Sequence, residues 1–393
     1  METWKYQKLS DCASYVSERT SDITFENYIT TENMIENRGG VKTASSLPDT
    51  KSTSAYKPND ILLSNIRPYF CKIWLADKKG SCSNDVLVVR AKNNIDSKFL
   101  YYVLSDQNFF NYDTMTSKGT KMPRGTQSAI MKYGVPDLPL PTQRRIASIL
   151  STYDALIQNY KRQIAALQSA ASELYKEWFV RFRFPGYKNA KFDNGLPVGW
   201  KVEKLGEIGE IIGGGTPSTE KEEYWNGEIP WLSPADLSDN TNIYVSKGNK
   251  NITQLGLAKS SAKMMPKDTV LLSSRAPVGY VALAKNPICT NQGFKSVVCN
   301  QSKIKPLYLY FFFKMNTNYL QSIATGATFP ELSATMMKKL KVLLPSIKLQ
   351  EQFVDTISAS IIKADLLFDQ ITNLTTQRDL LLPRLMSGKL SVE

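Results

Sequence analysis

The chain contains no histidine in its 393 residues. That absence removes the commonest general base, the usual metal-ligand partner and every Ser-His or Cys-His nucleophile pair. Cysteine is scarce as well: Cys12, Cys71, Cys82, Cys289 and Cys299 are widely spaced, with no Cys-x-x-Cys pair, and are read as reduced thiols. No apolar run approaches the roughly 18 residues needed to cross a bilayer. The polar and aromatic start from Met1 to Leu9 is unlike a signal peptide, so no membrane partner and a cytoplasmic location are expected.

What the chain has is positive charge. Lys and Arg number 49 against 36 acidic residues, a formal charge of +13, with a pI near 9.3. This favours a polyanionic partner, nucleic acid ahead of an anionic membrane surface. The 42% hydrophobic fraction suits a folded protein, and 393 residues exceed what one core usually organises, so at least two domains are expected.

The chain is internally duplicated at a spacing of roughly 200 residues. Trp4-Lys5-Tyr6-Gln7-Lys8-Leu9 returns as Trp200-Lys201-Val202-Glu203-Lys204-Leu205. Pro58-Asn59-Asp60-Ile61-Leu62-Leu63-Ser64 matches Pro266-Lys267-Asp268 and then Val270-Leu271-Leu272-Ser273, each a turn leading into a buried strand. Arg67-Pro68 then parallels Arg275-Ala276-Pro277, and Cys82-Ser83-Asn84 parallels Cys289-Thr290-Asn291. Ile95 with Phe99 to Tyr102 matches Ile304 with Tyr308 to Phe311, Gly119 to Pro123 matches Gly326 to Pro330, and Met131-Lys132 matches Met337-Lys338. Between Leu9 and Pro58, and between Leu205 and Pro266, the copies diverge and the second is longer by about a dozen residues. Divergent loops on a shared frame point to two different readouts, or to drift in unimportant loops.

A long helix closes each half. Ile146, Leu150, Tyr153, Ile157, Tyr160, Ile164, Leu167, Ala171, Leu174 and Trp178 alternate by four and three residues, as a heptad seam does. The second seam runs Phe353, Ile357, Ser360, Ala364, Leu367, Ile371, Leu374, breaks pattern at Arg378, and resumes at Leu381 and Leu385, with Pro383 expected to end or kink it. At about 1.5 Å per residue each helix is roughly 50 Å long, more than one small domain covers. An antiparallel pair joining two domains about a pseudo-two-fold axis is therefore expected.

At this point the residues resemble the specificity subunits of type I restriction-modification systems, over nearly the whole chain. The resemblance rests on Gly214-Gly215-Thr216-Pro217-Ser218-Thr219, then Tyr224-Trp225-Asn226-Gly227-Glu228-Ile229-Pro230-Trp231, and on Ser274-Arg275-Ala276-Pro277-Val278-Gly279 with Thr290-Asn291-Gln292-Gly293. It rests also on a Pro-x-x-x-Gln start to each helix and on the closing Leu385-Met386-Ser387-Gly388-Lys389-Leu390. The first start, Pro139 to Gln143, fits; the second, Pro345 to Gln350, carries one extra residue. The first half also lacks the Gly-Gly-Thr-Pro opening and has Tyr28-Ile29-Thr30-Thr31 in place of Pro230-Trp231-Leu232-Ser233.

The resemblance implies an α/β (α+β) chain with target-recognition domains at 1–142 and 184–345 and spacer helices at 143–183 and 346–393. It implies a non-catalytic subunit that reads a bipartite, asymmetric site in double-stranded DNA. Its implied partners are methyltransferase subunits, two of them, and ATP-dependent restriction translocase subunits. No cofactor is implied for this chain.

Candidate chemistry is sparse. There is no Asn-Pro-Pro or Asp-Pro-Pro methyltransferase motif, and Gly213-Gly214-Gly215-Thr216 lacks the Lys-Ser/Thr of a P-loop, leaving a turn that offers backbone N–H groups to a phosphate. Asp49-Thr50-Lys51, Asp77-Lys78-Lys79 and Asp96-Ser97-Lys98 fit a nuclease acidic-x-Lys pattern by letter only. As phosphate contacts the candidates are Arg67 and Arg275 beyond buried strands, Lys118, Lys121 and Arg124 around a Gly-Thr loop, and Thr325 and Thr328 at its second-half counterpart. Asn291 and Gln292 are candidates for adenine edges, and Trp231 for packing on sugar or base. Against each stands a plain alternative: a solvated charge, a turn-stabilising hydroxyl, or a buried amide serving the backbone. The rival functions are a nuclease or methyltransferase fragment, the specificity module of a restriction-modification enzyme outside type I, and a purely structural coiled-coil adaptor.

Overall fold

The computed structural model describes residues 4–238, 242–275, 277–326, 330–390 and 392. The chain falls into two compact units, Met1–Gln158 with Thr372–Glu393, and Asn159–Ile371. The sequence division at 142, 183 and 345 separated globular parts from helices; the compact units cut both long helices and take half of each.

Each unit mixes strands and helices on one plan. In the first, an antiparallel sheet runs in the order Ala13–Tyr15, Val86–Ala91, Ile61–Ser64, Ile73–Leu75. In the second, Gly209–Gly213, Lys295–Cys299, Val270–Leu272 and Val281–Ala284 repeat that order, with Tyr244–Val245 added in parallel at the edge. The two all-apolar strands read in the sequence are sandwiched. Ile61 and Leu63 face a core shared with the helices, whereas Leu62 faces a smaller core with Ile29, Tyr56 and Cys82. Val270 and Leu272 divide from Leu271 in the same way. Successive side chains of a strand point to opposite faces, so a strand packed on both faces shows no polar alternation.

The repeated Trp-Lys-x-x-Lys-Leu frame has a structural task. Tyr6–Lys8 pairs with Gly134–Pro136, and Lys201–Lys204 with Lys341–Leu344, both antiparallel. The fully buried Leu9 and Leu205 then donate backbone hydrogen bonds to Tyr133 O (2.9 Å) and Leu340 O (2.8 Å). These bonds set the repeat register, so Met337 takes the place of buried Ile130, one residue from the Met131 match read in the sequence.

The long helices span Leu140–Tyr175, followed by a wider turn at Lys176–Val180, and Ile347–Met386. Within the second unit they pair along the expected seam, Ile164 packing with Ala364 and Leu367, and Trp178 and Phe179 meeting Phe353 edge-on. Within the first unit Ile146 and Leu150 share a core with Leu382 and Leu385. The break at Arg378 is an ion pair: its guanidinium reaches Asp154 at 2.6 Å and Asp379 at 2.8 Å, while the Tyr102 hydroxyl donates to Asp154 at 2.6 Å. The expectation for Pro383 fails in part, because the helix continues through it to Met386. A proline costs one backbone hydrogen bond, and burial of Leu382, Leu385 and Met386 holds the last turn against that loss.

The glutamine of each Pro-x-x-x-Gln start is wholly buried and ties its long helix to the preceding domain. Gln143 donates from Nε2 to Leu138 O (2.7 Å) and Asn94 O (3.4 Å), and its Oε1 accepts from Asp96 N–H (2.8 Å). Gln350 donates to Pro345 O and Lys303 O, both at 3.1 Å, and accepts from Lys305 N–H at 2.9 Å. Asp96 and Lys305 are the N-cap residues of helices Ser97–Ser105 and Pro306–Met315. The extra residue seen in the second start disappears, because the bonds equate Leu138 with Pro345.

Removing either buried amide strands a donor and two acceptors, and each stranded group costs about 1–3 kcal/mol. Gln143→Leu and Gln350→Leu should each lower the urea midpoint of the full chain by the equivalent of roughly 3 kcal/mol. The exposed Gln158→Leu on the same helix should change it by no more than about 0.5 kcal/mol. Equal midpoints for all three would remove the staple from the account.

Candidate nucleic-acid interface

In the first unit four of the candidate cations are brought onto one hairpin and the loop beside it. The loop leaves strand Ile61–Ser64, where Ser64 Oγ donates to Ile66 O at 3.1 Å and Asn65 N–H to Asp85 O at 2.8 Å. Arg67 adopts the left-handed region at φ 51°, and its backbone N–H donates to Pro123 O at 2.8 Å. Its guanidinium lies 6.0 Å from the Phe70 ring centre, and its Nε is buried without a hydrogen-bond partner. Lys118 and Arg124 exchange both backbone hydrogen bonds at 2.9 Å, and Gly119 turns the hairpin at φ 97°. Lys118 and Lys121 are exposed and make no ion pair among the described residues. Arg124 pairs with Asp85 at 3.1 Å.

The second unit repeats the bridge at the base of this hairpin with different charge. Thr325 takes the place of Lys118, and Glu331 that of Arg124. Glu331 pairs with Arg275 at 3.0 Å and with the largely buried Lys295 at 3.3 Å. Burial works against ionisation of Glu331, but hydrogen bonds from Arg275 and Lys295 prevail and hold its carboxyl below the usual carboxylate range. The match of Arg67 with Arg275 is corrected by one residue. Ile66 bridges to Arg124, and Arg275 bridges to Glu331, so Arg275 stands where Ile66 does. Residue 276, which follows Arg275, lies outside the described residues, as does Thr328.

The motifs around the glycine loop are mutually packed. Gly215 N–H donates to Thr290 O at 2.8 Å, and a side chain at Gly214 would collide with the backbone oxygens of Thr290 and Asn291. One at Gly215 would strike Ser261 and Ala262. The glycines therefore serve close backbone approach within the chain, as the turn reading expected. Trp231 is corrected too: it is buried, donates from Nε1 to Gly215 O at 2.9 Å, and packs edge-on against Trp225 at 5.1 Å. An indole so enclosed has no face left for a sugar or base. Asn291 is half-buried, and its Oδ1 accepts from Gly293 N–H at 2.8 Å. That bond engages one of the two lone pairs of the amide oxygen in the turn. Gln292 is exposed and accepts from the Thr216 hydroxyl, and Thr325 is exposed.

Sequence reasoning missed Lys295, Glu331 and Thr216. Glu331 lies 36 residues along the chain from Lys295, and no motif joins them. Asp96, one of the three acidic-x-Lys letters, caps helix Ser97–Ser105 by accepting from the N–H groups of Lys98 and Phe99. Burial pushes the Cys12 and Cys289 thiols up to about 11 and that of Cys82 up to about 12, which suits packing and not nucleophilic attack. No helix among the described residues is long and apolar enough to cross a membrane.

Comparison with known proteins agrees with this plan. The model of the type I restriction modification DNA specificity domain matches residues 1–169 and again 197–375. The MjaIX specificity subunit of Methanocaldococcus jannaschii is 42% identical over 183 residues, which cover 46% of this chain and 42% of that protein. The chain thus spans less than half of that relative, but it matches all of the HindI specificity subunit of Haemophilus influenzae, at 24% identity over 99% of its own length. In fold it is similar to a type I restriction-modification S subunit from M. genitalium, with a TM-score of 0.60 at 18% identity over 98% of this chain and 96% of that one. With a duplicated α/β plan and a matching family domain in each copy, the chain belongs to the type I restriction-modification specificity family.

Proposed function

We propose that this chain reads a bipartite, asymmetric DNA site for a type I restriction-modification complex, supplies no catalytic group, and docks methyltransferase and restriction subunits that do. One observation carries the reading: the same bridge at the hairpin base occurs in both copies with opposite chemistry, Lys118 and Arg124 in one and Thr325 and Glu331 in the other. A shared scaffold with different side chains at matching positions suits two different half-sites. In the first unit, Arg67, Lys118, Lys121 and Arg124 serve phosphates. In the second, Arg275 is held by Glu331 until a phosphate competes for it, and Gln292 and Thr325 offer polar contacts.

The decisive experiment exchanges residues 184–345 for those of a relative, co-expresses the chimera with the methyltransferase subunits, and maps methylated adenines. One half-site should change and the other persist; if both change together, the two-reader proposal fails.

Salt dependence separates the two hairpins. Lys118→Ala and Lys121→Ala should each weaken binding across sequences and reduce the slope of log K against log salt by about one. Arg275→Ala should also weaken binding, whereas Glu331→Gln, which releases Arg275 and Lys295, should strengthen it at low salt. A loss confined to one base pair of the site would make the residue concerned a base reader.

A further inference from the structure

Beneath the basic hairpin of the first unit lies a buried acid that no ion pair explains. Asp113, on helix Gln107–Thr116, is fully buried, and neither carboxylate oxygen has a hydrogen-bond partner. Asn65 is 8% exposed, and its Oδ1 is likewise unpartnered. Both oxygens converge on Gly125, the residue that follows the hairpin: a Cβ there would lie 2.5 Å from Asp113 Oδ1 and 3.0 Å from Asn65 Oδ1. Gly125 N–H is itself bonded to Asn65 O at 3.1 Å.

The second unit solves the same packing problem without charge. There Leu332 N–H donates to Ser274 O at 2.8 Å, the bond that matches Gly125 to Asn65. Leu332 is wholly buried in an apolar core that also holds Leu320 of helix Thr317–Ile323. A buried leucine in one copy stands where the other has a glycine beneath an acid and an amide. Two acceptor oxygens converging in a dry site repel when the acid is ionised, and attract when its proton lies between them.

We propose that Asp113, Asn65 and Gly125 form a proton-dependent latch that positions the Lys118–Arg124 hairpin. In the closed form the neutral Asp113 carboxyl donates its O–H to Asn65 Oδ1. When the hairpin lifts, Asp113 is hydrated and gives that proton to water. Asp113 is thus a positioning residue, acting through Gly125 on the cations of the hairpin.

The surroundings leave the latch to this proton. Burial alone pushes the Asp113 carboxyl up to about 7, with no charged neighbour contributing. The adjoining loop bears Arg67 and the hairpin bears Lys118, Lys121 and Arg124, yet Asp113 pairs with none of them. From strand Ala13–Tyr15 the Tyr15 phenol faces it and donates to Gln127 O at 3.1 Å. Burial first, and Asp113 second, push that phenol above its usual range, so it stays neutral.

The sign follows from linkage. The closed form binds the proton more tightly than the open one, so closure is strongest below the ordinary Asp value and is lost as pH rises to that of the buried acid.

The test is amide hydrogen exchange on the full chain, with rates corrected for intrinsic pH dependence. Protection at Lys118, Arg124 and Gly125 should fall by up to about tenfold per pH unit toward pH 7 and level off above it. Protection at Thr325, Glu331 and Leu332 should not follow. Asp113→Asn supplies an N–H donor and cannot ionise, so it should keep the hairpin protected at every pH. A flat wild-type profile would overturn the latch, and would mean that the Asn65 amide donates to a permanently charged carboxylate. A slope that survives in Asp113→Asn would overturn it as well. The wild-type profile needs no variant, so it decides even if Asp113→Asn fails to fold. Any effect on DNA rests on the function proposed above and is read separately, as affinity against pH: an exchange slope with pH-independent affinity would leave the latch standing and remove the hairpin from the DNA interface.

Discussion

A side-chain amide in a dry site, with its oxygen and its nitrogen both bonded to main chain, holds each half of this molecule together. Gln143 and Gln350 are wholly buried. Each joins the start of a long helix to the N-cap of a short helix in the domain before it. A long helix with a narrow apolar stripe has little else to fix where it begins, because heptad packing tolerates sliding by one repeat. An amide that bonds in three directions does not. It specifies one rotation and one height for the helix, and the seam residues then fall where their partners are.

On that fixed frame the two copies spend their differences at the surface. The buried strands, the Leu9 and Leu205 anchors and the glutamine staples are nearly interchangeable between copies. The hairpins are not: one presents exposed lysines, and the other a threonine and a glutamate clasped by Arg275 and Lys295. A side chain that already has a partner of opposite charge must give up that partner to bind a phosphate, whereas a free lysine gives up only water and counterions. The same backbone therefore offers one hairpin ready to bind anions and another that must first be opened.

The difference reaches below the surface. Leu332, wholly buried just after the second hairpin, supports it by burial, which pH does not alter. Asp113 and Asn65 support the first with groups whose attraction depends on a proton. A buried acid is expensive in its charged form, so its presence in this core calls for a reason other than stability.

The sequence by itself determined the repeat, the buried strands, the helix seams and the glutamine positions, since each is written as a local pattern of apolar spacing or as a motif repeated in order. It also placed Lys118, Lys121 and Arg124 near one another, because only a short hairpin separates them, whereas Arg67 is brought to them by the fold, through its backbone bond to Pro123. Only the tertiary structure decided what lies across the chain. Trp231 looked like a surface aromatic and is a core one, since the loop that covers it comes from Gly215. Arg275 looked free and is paired, since Glu331 arrives from another segment. Arg378 looked like a flaw in a heptad and is an ion pair to Asp154 on the other helix. Periodicity records which face of an element is apolar; which partner meets that face depends on how distant segments pack, and no local pattern carries that.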